Sequence, residues 1–215
     1  MHRNRRRLRA VSAELTTVAA ALAALMTVPL SPAVAAPSDE RAATRAAGVA
    51  DAAPALAAKR LNITMQAQLQ TNWCWAAGGN TIAAYFGRTY SQNQFCNAAF
   101  NRAQNTQCPN NQATLGNVQT GLSWAGVRPG SYIANWLRYP AVQTDIDQNR
   151  PIETRIQWSS GGGHMHVIYG YDTANNWVYW ADPWPSSSRY NWGSHAWYVN
   201  NSSFSWTHSL YRIGA

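Results

Sequence analysis

Three cysteines, Cys74, Cys96 and Cys108, are the residues of this 215-residue chain best suited to covalent chemistry. In an oxidising compartment an odd number leaves one thiol over. Cys96 and Cys108 stand twelve apart in a polar Asn/Gln-rich segment, and they are expected to pair and tie down a loop with little core of its own. Cys74 is then the free thiol. It lies in Gln68-Leu69-Gln70-Thr71-Asn72-Trp73-Cys74-Trp75-Ala76-Ala77, at the opening of an expected helix. There the unpaired backbone N–H groups and the helix dipole favour the reactive thiolate. Gln68, on the incoming loop, has a side-chain amide able to face an oxygen that becomes negative beside the Cys74 N–H.

A nucleophilic thiol needs a base and the base needs an orienting partner. Beyond the first 36 residues the histidines are His164, His166, His195 and His208. His164 follows three glycines and begins an expected strand, so it can reach across a cleft. His166, two residues on, faces the same side of a regular strand. Asp182, at the end of the next expected strand, would return beside His164 and fix its tautomer; its other reading is a turn acid before Pro183. His195 and His208 carry no motif and read as surface or strand-face residues. His164-x-His166 with Asp182 is the one spacing that offers zinc ligands, and neither metal nor cofactor is expected.

The elements that must position these groups change rhythm along the chain. Three helices are expected: Trp75–Phe86, stopped by Gly87; Thr114–Trp124, capped by Thr114 and ended near Gly126; and Pro140–Gln148. Strands follow at Ile152–Trp158, His164–Tyr171, Trp177–Trp180, Ala196–Val199 and Phe204–Arg212, with turns at Gly161–Gly163, Asn175-Asn176 and Pro183–Ser188. Helices first and strands second predict an α+β fold with a cleft between two lobes. All eleven Trp lie beyond residue 72. Most are expected in the core, with Trp73, Trp75, Trp184 and Trp192 as candidates to line substrate subsites. Asp145, Asp147 and Glu153 read as a solvated face.

The two ends bound the functional classes. Arg-rich Met1–Ala10, apolar Thr16–Leu30 and Ala33-Val34-Ala35-Ala36 have the order of a signal peptide, so residues 1–36 are expected to be removed after Ala35 or Ala36 and the product to be secreted. No later apolar run could span a bilayer. Residues 37–60, Ala-rich and without an aromatic, read as a linker or short pro-segment, leaving 61–215 as the folded domain. The formal charge of +8 misleads: of 17 basic and 9 acidic residues, five Arg and Glu14 belong to the first 36, leaving 12 and 8, a net +4. No basic cluster survives there, which argues against a nucleic-acid partner.

Gln68…Cys74-Trp75 opening a helix, then His164 with Gly170-Tyr171 six and seven residues on, then Asp182, resembles a papain-like cysteine peptidase. The resemblance covers about Leu61–Ala215 and is closer to compact secreted bacterial members and to the double-glycine peptide-processing peptidases than to papain. It implies an N-terminal helical lobe packed on a C-terminal antiparallel β lobe. It also implies Cys74 as nucleophile, His164 rather than His166 as base, Asp182 as orienter, and Gln68 rather than Gln70 as oxyanion donor. The implied activity is thioester-mediated hydrolysis of a protein or peptide by a monomer. The chain departs from papain in lacking the Cys-Gly-Ser/Ala-Cys lead-in, in using Asp as orienter, and in having no room for a long pro-domain. The same catalytic set would serve a cell-wall or amide hydrolase or a transglutaminase-like acyl transferase. A non-catalytic, Trp-rich binding domain is the reading that would not use it.

Overall fold

A computed structural model describes residues 58–214. The expected signal segment and most of the Ala-rich stretch lie outside the described residues. The last three of that stretch are not linker: Ala58–Arg60 form a strand, β1. It is followed by α1 (Cys74–Tyr85), α2 (Gln92–Ala99), α3 (Leu115–Trp124), β2 (Ser131–Ile133), α4 (Tyr139–Asp147) and β3 (Ile152–Trp158). The chain then runs through β4 (Gly163–Asp172), β5 (Trp177–Ala181), β6 (Tyr190–Ser194), α5 (His195–Val199) and β7 (Phe204–Tyr211). The expected α+β class holds. Among the described residues no helix is long and apolar enough to cross a membrane.

Local chemistry sets most of the helix ends. Thr114 caps α3 through a reciprocal capping box with Asn117, and Pro140 occupies the first turn of α4, where its missing N–H costs nothing. Helix α2 was not expected, because its Asn and Gln suggest a loop. Its signature is Ser91-x-x-Gln94, a capping box ahead of the buried Phe95, Cys96, Ala98 and Ala99. Residues 196–199 were expected as a strand from their aromatic and β-branched content. They are helical instead, because Ser194 accepts the Trp197 N–H as an N-cap and Tyr198 turns into the core.

All strand pairs are antiparallel, in the order β2-β7-β3-β4-β5-β6, with β1 also on β4. Strand β4 is central: β5 takes one edge, while β3 pairs with 163–168 and β1 with 170–172 on the other. Gly170 is required there, since a Cβ would stand 2.6 Å from the Lys59 carbonyl oxygen. Strands β2 and β6 escape the sequence pattern because they are short and largely exposed.

The core joins the inner residues of the sheet, such as Ile152, Ile156, Val167 and Ile168, to Ile82, Phe95, Val118 and Leu122 of the helices. Two acids expected on a solvated face are inside it. Asp145 is buried, where it pairs with Arg150 and accepts the Arg212 N–H, and Glu153 is fully buried. Asp147 is exposed and accepts the Tyr171 hydroxyl. His195 is also buried rather than on the surface, with Nε2 2.8 Å from the Leu137 carbonyl oxygen. His208 is half-buried on β7 and stacks on Tyr132.

Candidate active site

Cys74 is the first residue of α1 and is free and half-buried. The first helical bond runs from the Ala77 N–H to the Trp73 carbonyl at 2.9 Å, so the Cys74 N–H lies ahead of the ladder. Cys96 and Cys108 are bonded, with Cα atoms 6.1 Å apart. Both are buried and Cys96 belongs to α2, so the bridge is anchored in the core rather than in a free loop.

The stretch just after Cys108 clasps the segment that carries Cys74. The indole N–H groups of Trp73 and Trp75 donate to the carbonyls of Pro109 and Asn111, each at 3.1 Å. Asn72 donates its backbone N–H to Asn110 Oδ1 and its amide to the Asn110 carbonyl, both at 2.9 Å, while Asn110 donates to Thr71 Oγ1 at 2.8 Å. The two tryptophans are therefore structural: both are 1% exposed. Of the four expected at subsites, Trp75 and Trp184 line the cavity beside Cys74, whereas Trp73 and Trp192 do not.

That cavity, about 330 Å³, also receives His164, Asp182 and Trp158 from the strand-rich half of the chain. His164 Nε2 is 2.7 Å from Asp182 Oδ1, and the same ring shares the cavity with Cys74 and interacts with it electrostatically. With Nε2 committed to the carboxylate, Nδ1 is the atom left for the sulfur. Trp158 stacks on the imidazole at 6.1 Å between ring centroids. Burial alone would lower the His164 pKa, but the hydrogen bond to Asp182 and the interactions with Cys74 and the Asp182 carboxylate outweigh it and raise it to about 9. Burial would likewise raise Asp182, yet hydrogen bonding and the two imidazoles hold it far below the usual carboxylate range. Asp182 also accepts the Trp184 N–H at 2.8 Å, so it is an orienting acid and a turn acid at once.

His166 stands beyond Asp182. Its Nε2 approaches Asp182 Oδ2 to 3.6 Å, too far for a hydrogen bond, and its Nδ1 lies 3.2 Å from the Tyr198 hydroxyl, which in turn meets Thr154 Oγ1 at 2.7 Å. Burial lowers its pKa. The chain of contacts thus runs from Cys74 through His164 and Asp182 to His166, with His164 as the ring next to the sulfur. The candidate metal ligands of His164, His166 and Asp182 lie within 4.8 Å of one another. The His164–Asp182 separation is a hydrogen-bond distance, shorter than the roughly 3.3 Å between two ligands of a tetrahedral zinc ion. That pair is therefore spaced as a hydrogen bond rather than as two ligands of one zinc ion.

The glutamine expected as oxyanion donor is placed differently. Both N–H groups of the Gln68 amide are taken, by the carbonyls of Gln70 at 2.8 Å and Thr71 at 2.9 Å. The tight turn at 69–72 folds these carbonyls back over the glutamine, so Gln68 braces the loop leading to Cys74. Neither Gln68 nor Gln70 lines the cavity with Cys74; both line an adjoining pocket with Trp184. Gln112 does line that cavity and was not singled out by the sequence.

Glu153 was also missed. It is wholly buried, and neither carboxyl oxygen has a partner. Oε1 would stand 2.7 Å from a Cβ on Gly78, one turn after Cys74 in α1, so the glycine makes room for the acid. Burial first, and the negative charge of Cys74 second, raise its pKa well above 4.5. Nothing in the local sequence marks it, since alternation in β3 predicts one covered face, whereas Ile152, Glu153 and Thr154 are all buried and both faces are covered there.

The sequence profile of the family described as Papain-like cysteine protease AvrRpt2 matches residues 57–203, more than half of the chain. The chain belongs to that family. It is a papain-like cysteine peptidase, and the match begins one residue before β1. Among solved structures it is similar to a double glycine motif protease from an AMS/PCAT transporter in complex with the leader peptide. That likeness has 14% identity and a TM-score of 0.49, and it covers 73% of this chain and 95% of the other. No curated protein matches the peptidase.

Proposed function

We propose that the protein is a secreted cysteine peptidase that cleaves peptide bonds through a thioester on Cys74. The observation that carries the reading is the contiguous line of Cys74, His164 and Asp182 along one cavity. Cys74 Sγ attacks the peptide carbonyl, and the oxygen that becomes negative is received by the Cys74 N–H at the head of α1. The imidazolium of His164 gives its Nδ1 proton to the departing amine, leaving an acyl thioester. A water then loses its proton to the same nitrogen and attacks the thioester, which releases the acid and restores the thiolate. Asp182 keeps the Nε2–H of His164 in place through both halves.

In this reading the helical and strand-rich parts act as two lobes with the substrate between them. Residues 1–36 are a signal peptide, the Ala-rich stretch ahead of β1 is a linker or short pro-segment, and the protein is an extracellular monomer. The order of residue types in the first 36 positions and the Cys96–Cys108 bond, which an oxidising compartment favours, support export.

The test is Cys74→Ala. It should abolish hydrolysis of casein and of quenched-fluorescence peptides, and an epoxide thiol trap should label Cys74 alone in the unaltered protein. Undiminished hydrolysis by the variant would end the proposal, and incorporation of a labelled amine in place of hydrolysis would reassign the acyl acceptor.

A further inference from the structure

The cleft carries one cation that the reaction does not use. Arg155, on β3, lines the cavity that holds Cys74 and His164. It also lines an adjoining cavity of about 350 Å³ bounded by Thr114, Tyr132 and His208. Its guanidinium is held in a fixed orientation: Nη1 donates to Thr207 Oγ1 and Nη2 to Gln157 Oε1, each at 2.9 Å. Thr207 in turn donates to the Arg155 carbonyl at 3.1 Å. Both partners of the guanidinium are neutral oxygens. Among the described residues no carboxylate pairs with Arg155. The acid that shares its cavity, Asp182, is committed to His164 and the Trp184 N–H.

A second feature is the close packing of this guanidinium on the chain next to His164. A Cβ on Gly163 would stand 2.7 Å from Arg155 Nη2 and 2.9 Å from Cζ. Gly163 immediately precedes His164, so the guanidinium lies flat against the backbone leading to the base. It occupies the space that a Cβ at residue 163 would take. A guanidinium has five N–H donors in a planar fork suited to a carboxylate. Two are taken by Thr207 and Gln157, which leaves donors for a ligand in the cleft. A half-buried cation paired only with neutral groups keeps most of its affinity for an anion, and a charge-assisted pair is about twice as strong as a neutral hydrogen bond.

From this geometry, and resting on the peptidase reading above, we propose that Arg155 is a carboxylate-recognising subsite that selects substrates bearing an acidic group close to the scissile bond. The group is an Asp or Glu side chain, or a chain-terminal carboxylate; the two share the chemistry and are separated by the test. Arg155 here is a specificity residue with no part in bond breaking.

The experiment scans Asp against Asn, and Lys against Gln, through the three positions on either side of the cleaved bond in quenched-fluorescence peptides. Each peptide is made with a free and an amidated C-terminus. The secreted protein is expected to prefer Asp over Asn at one position by tenfold or more in kcat/KM, or the free over the amidated terminus by the same factor. Arg155→Met should bring that ratio to within twofold, and Arg155→Glu should turn it towards Lys. Epoxide labelling of Cys74 in each variant verifies that the site is intact. If a variant fails to fold, the scan of the unaltered protein still decides. No acid preference at any position overturns the inference, as does a preference that survives in Arg155→Met. Absence of cleavage of every peptide, with Cys74 unlabelled, overturns the peptidase reading itself and this inference with it.

Discussion

Cys74 and His164 are held by two different kinds of structure. Residues 71–75 are fastened by side chains: the indoles of Trp73 and Trp75 and the amides of Asn72 and Asn110 bond across to a stretch that the Cys96–Cys108 bridge fixes. His164 is held by backbone: it pairs with Ile156 of β3 near the start of β4, which is paired along both edges from Val167 onward, and Asp182 follows directly on the neighbouring β5. Side-chain clasps can be undone one bond at a time, whereas a ladder fails only with the sheet. The difference predicts that damage on the nucleophile side should be graded and local. Damage on the base side should strike the electrostatics of the pair while leaving the fold in place.

The largest effect is expected from Asp182→Asn. The imidazole would lose the carboxylate that fixes its tautomer and holds its charge, and kcat/KM should fall at least about 100-fold. The pH dependence separates loss of charge from loss of fold. The folded pKa of His164, about 9, lies above its ordinary 6.5. The ionised pair therefore contributes stability that is fully present below pH 6.5 and is lost as pH rises through about 9. Activity should decline over the same alkaline limb, and in the Asn variant that limb should move to lower pH. An unmoved limb in rate-against-pH measurements would show that Asp182 does not govern the ring.

The next effect is expected from removing the bridge with Cys96→Ser and Cys108→Ser together. Closing a loop of this length is worth about 2–4 kcal/mol, so chemical denaturation should show a loss of that order. With the clasp loosened, kcat/KM should fall roughly tenfold, since a small displacement of a reacting group is costly. The alkaline limb near pH 9 should stay where it is, because the base side is untouched. A shifted limb would mean that the two sides are not independently held.

The smallest effect at neutral pH is expected from Glu153→Gln. The raised pKa means that the folded protein keeps a proton which the unfolded chain gives up above about pH 4.5. Stability is therefore lost as pH rises above that value. Gln keeps the volume and cannot ionise, so the variant should gain on the unaltered protein in melting temperature from pH 5 to pH 8. Parallel curves for the two proteins would refute the assignment of a neutral buried acid.

The sequence made legible those features whose cause is local. The unpaired cysteine at a helix start, the cap at Thr114, the alternation of Ile152–Trp158 and the spacing from His164 to Gly170 are all written in neighbouring residues. Helix α2 was legible too, in Ser91 and Gln94, but its Asn and Gln content outweighed the cap. Helix α5 was misread because aromatic content suits both a strand and a helix whose one face is buried. Gln68 was assigned its role by spacing alone, and spacing does not say which carbonyls a turn will fold back onto an amide.

The sequence by itself determined the chemistry: which sulfur is free, which histidines and which acid sit at strand ends, and an α+β order of elements. The choice of His164 over His166 was implied by the resemblance, and His164 is the one of the two that lines the cavity with Cys74; tertiary structure alone decided that Glu153 is enclosed near that cysteine. It alone set the Arg155 guanidinium against Gly163 with no acid to neutralise it. The physical reason is that reactivity and capping depend on residue type and near neighbours, whereas burial, pairing and the direction of a side chain depend on surfaces brought together from 80 or more residues away, as Cys74 and His164 are.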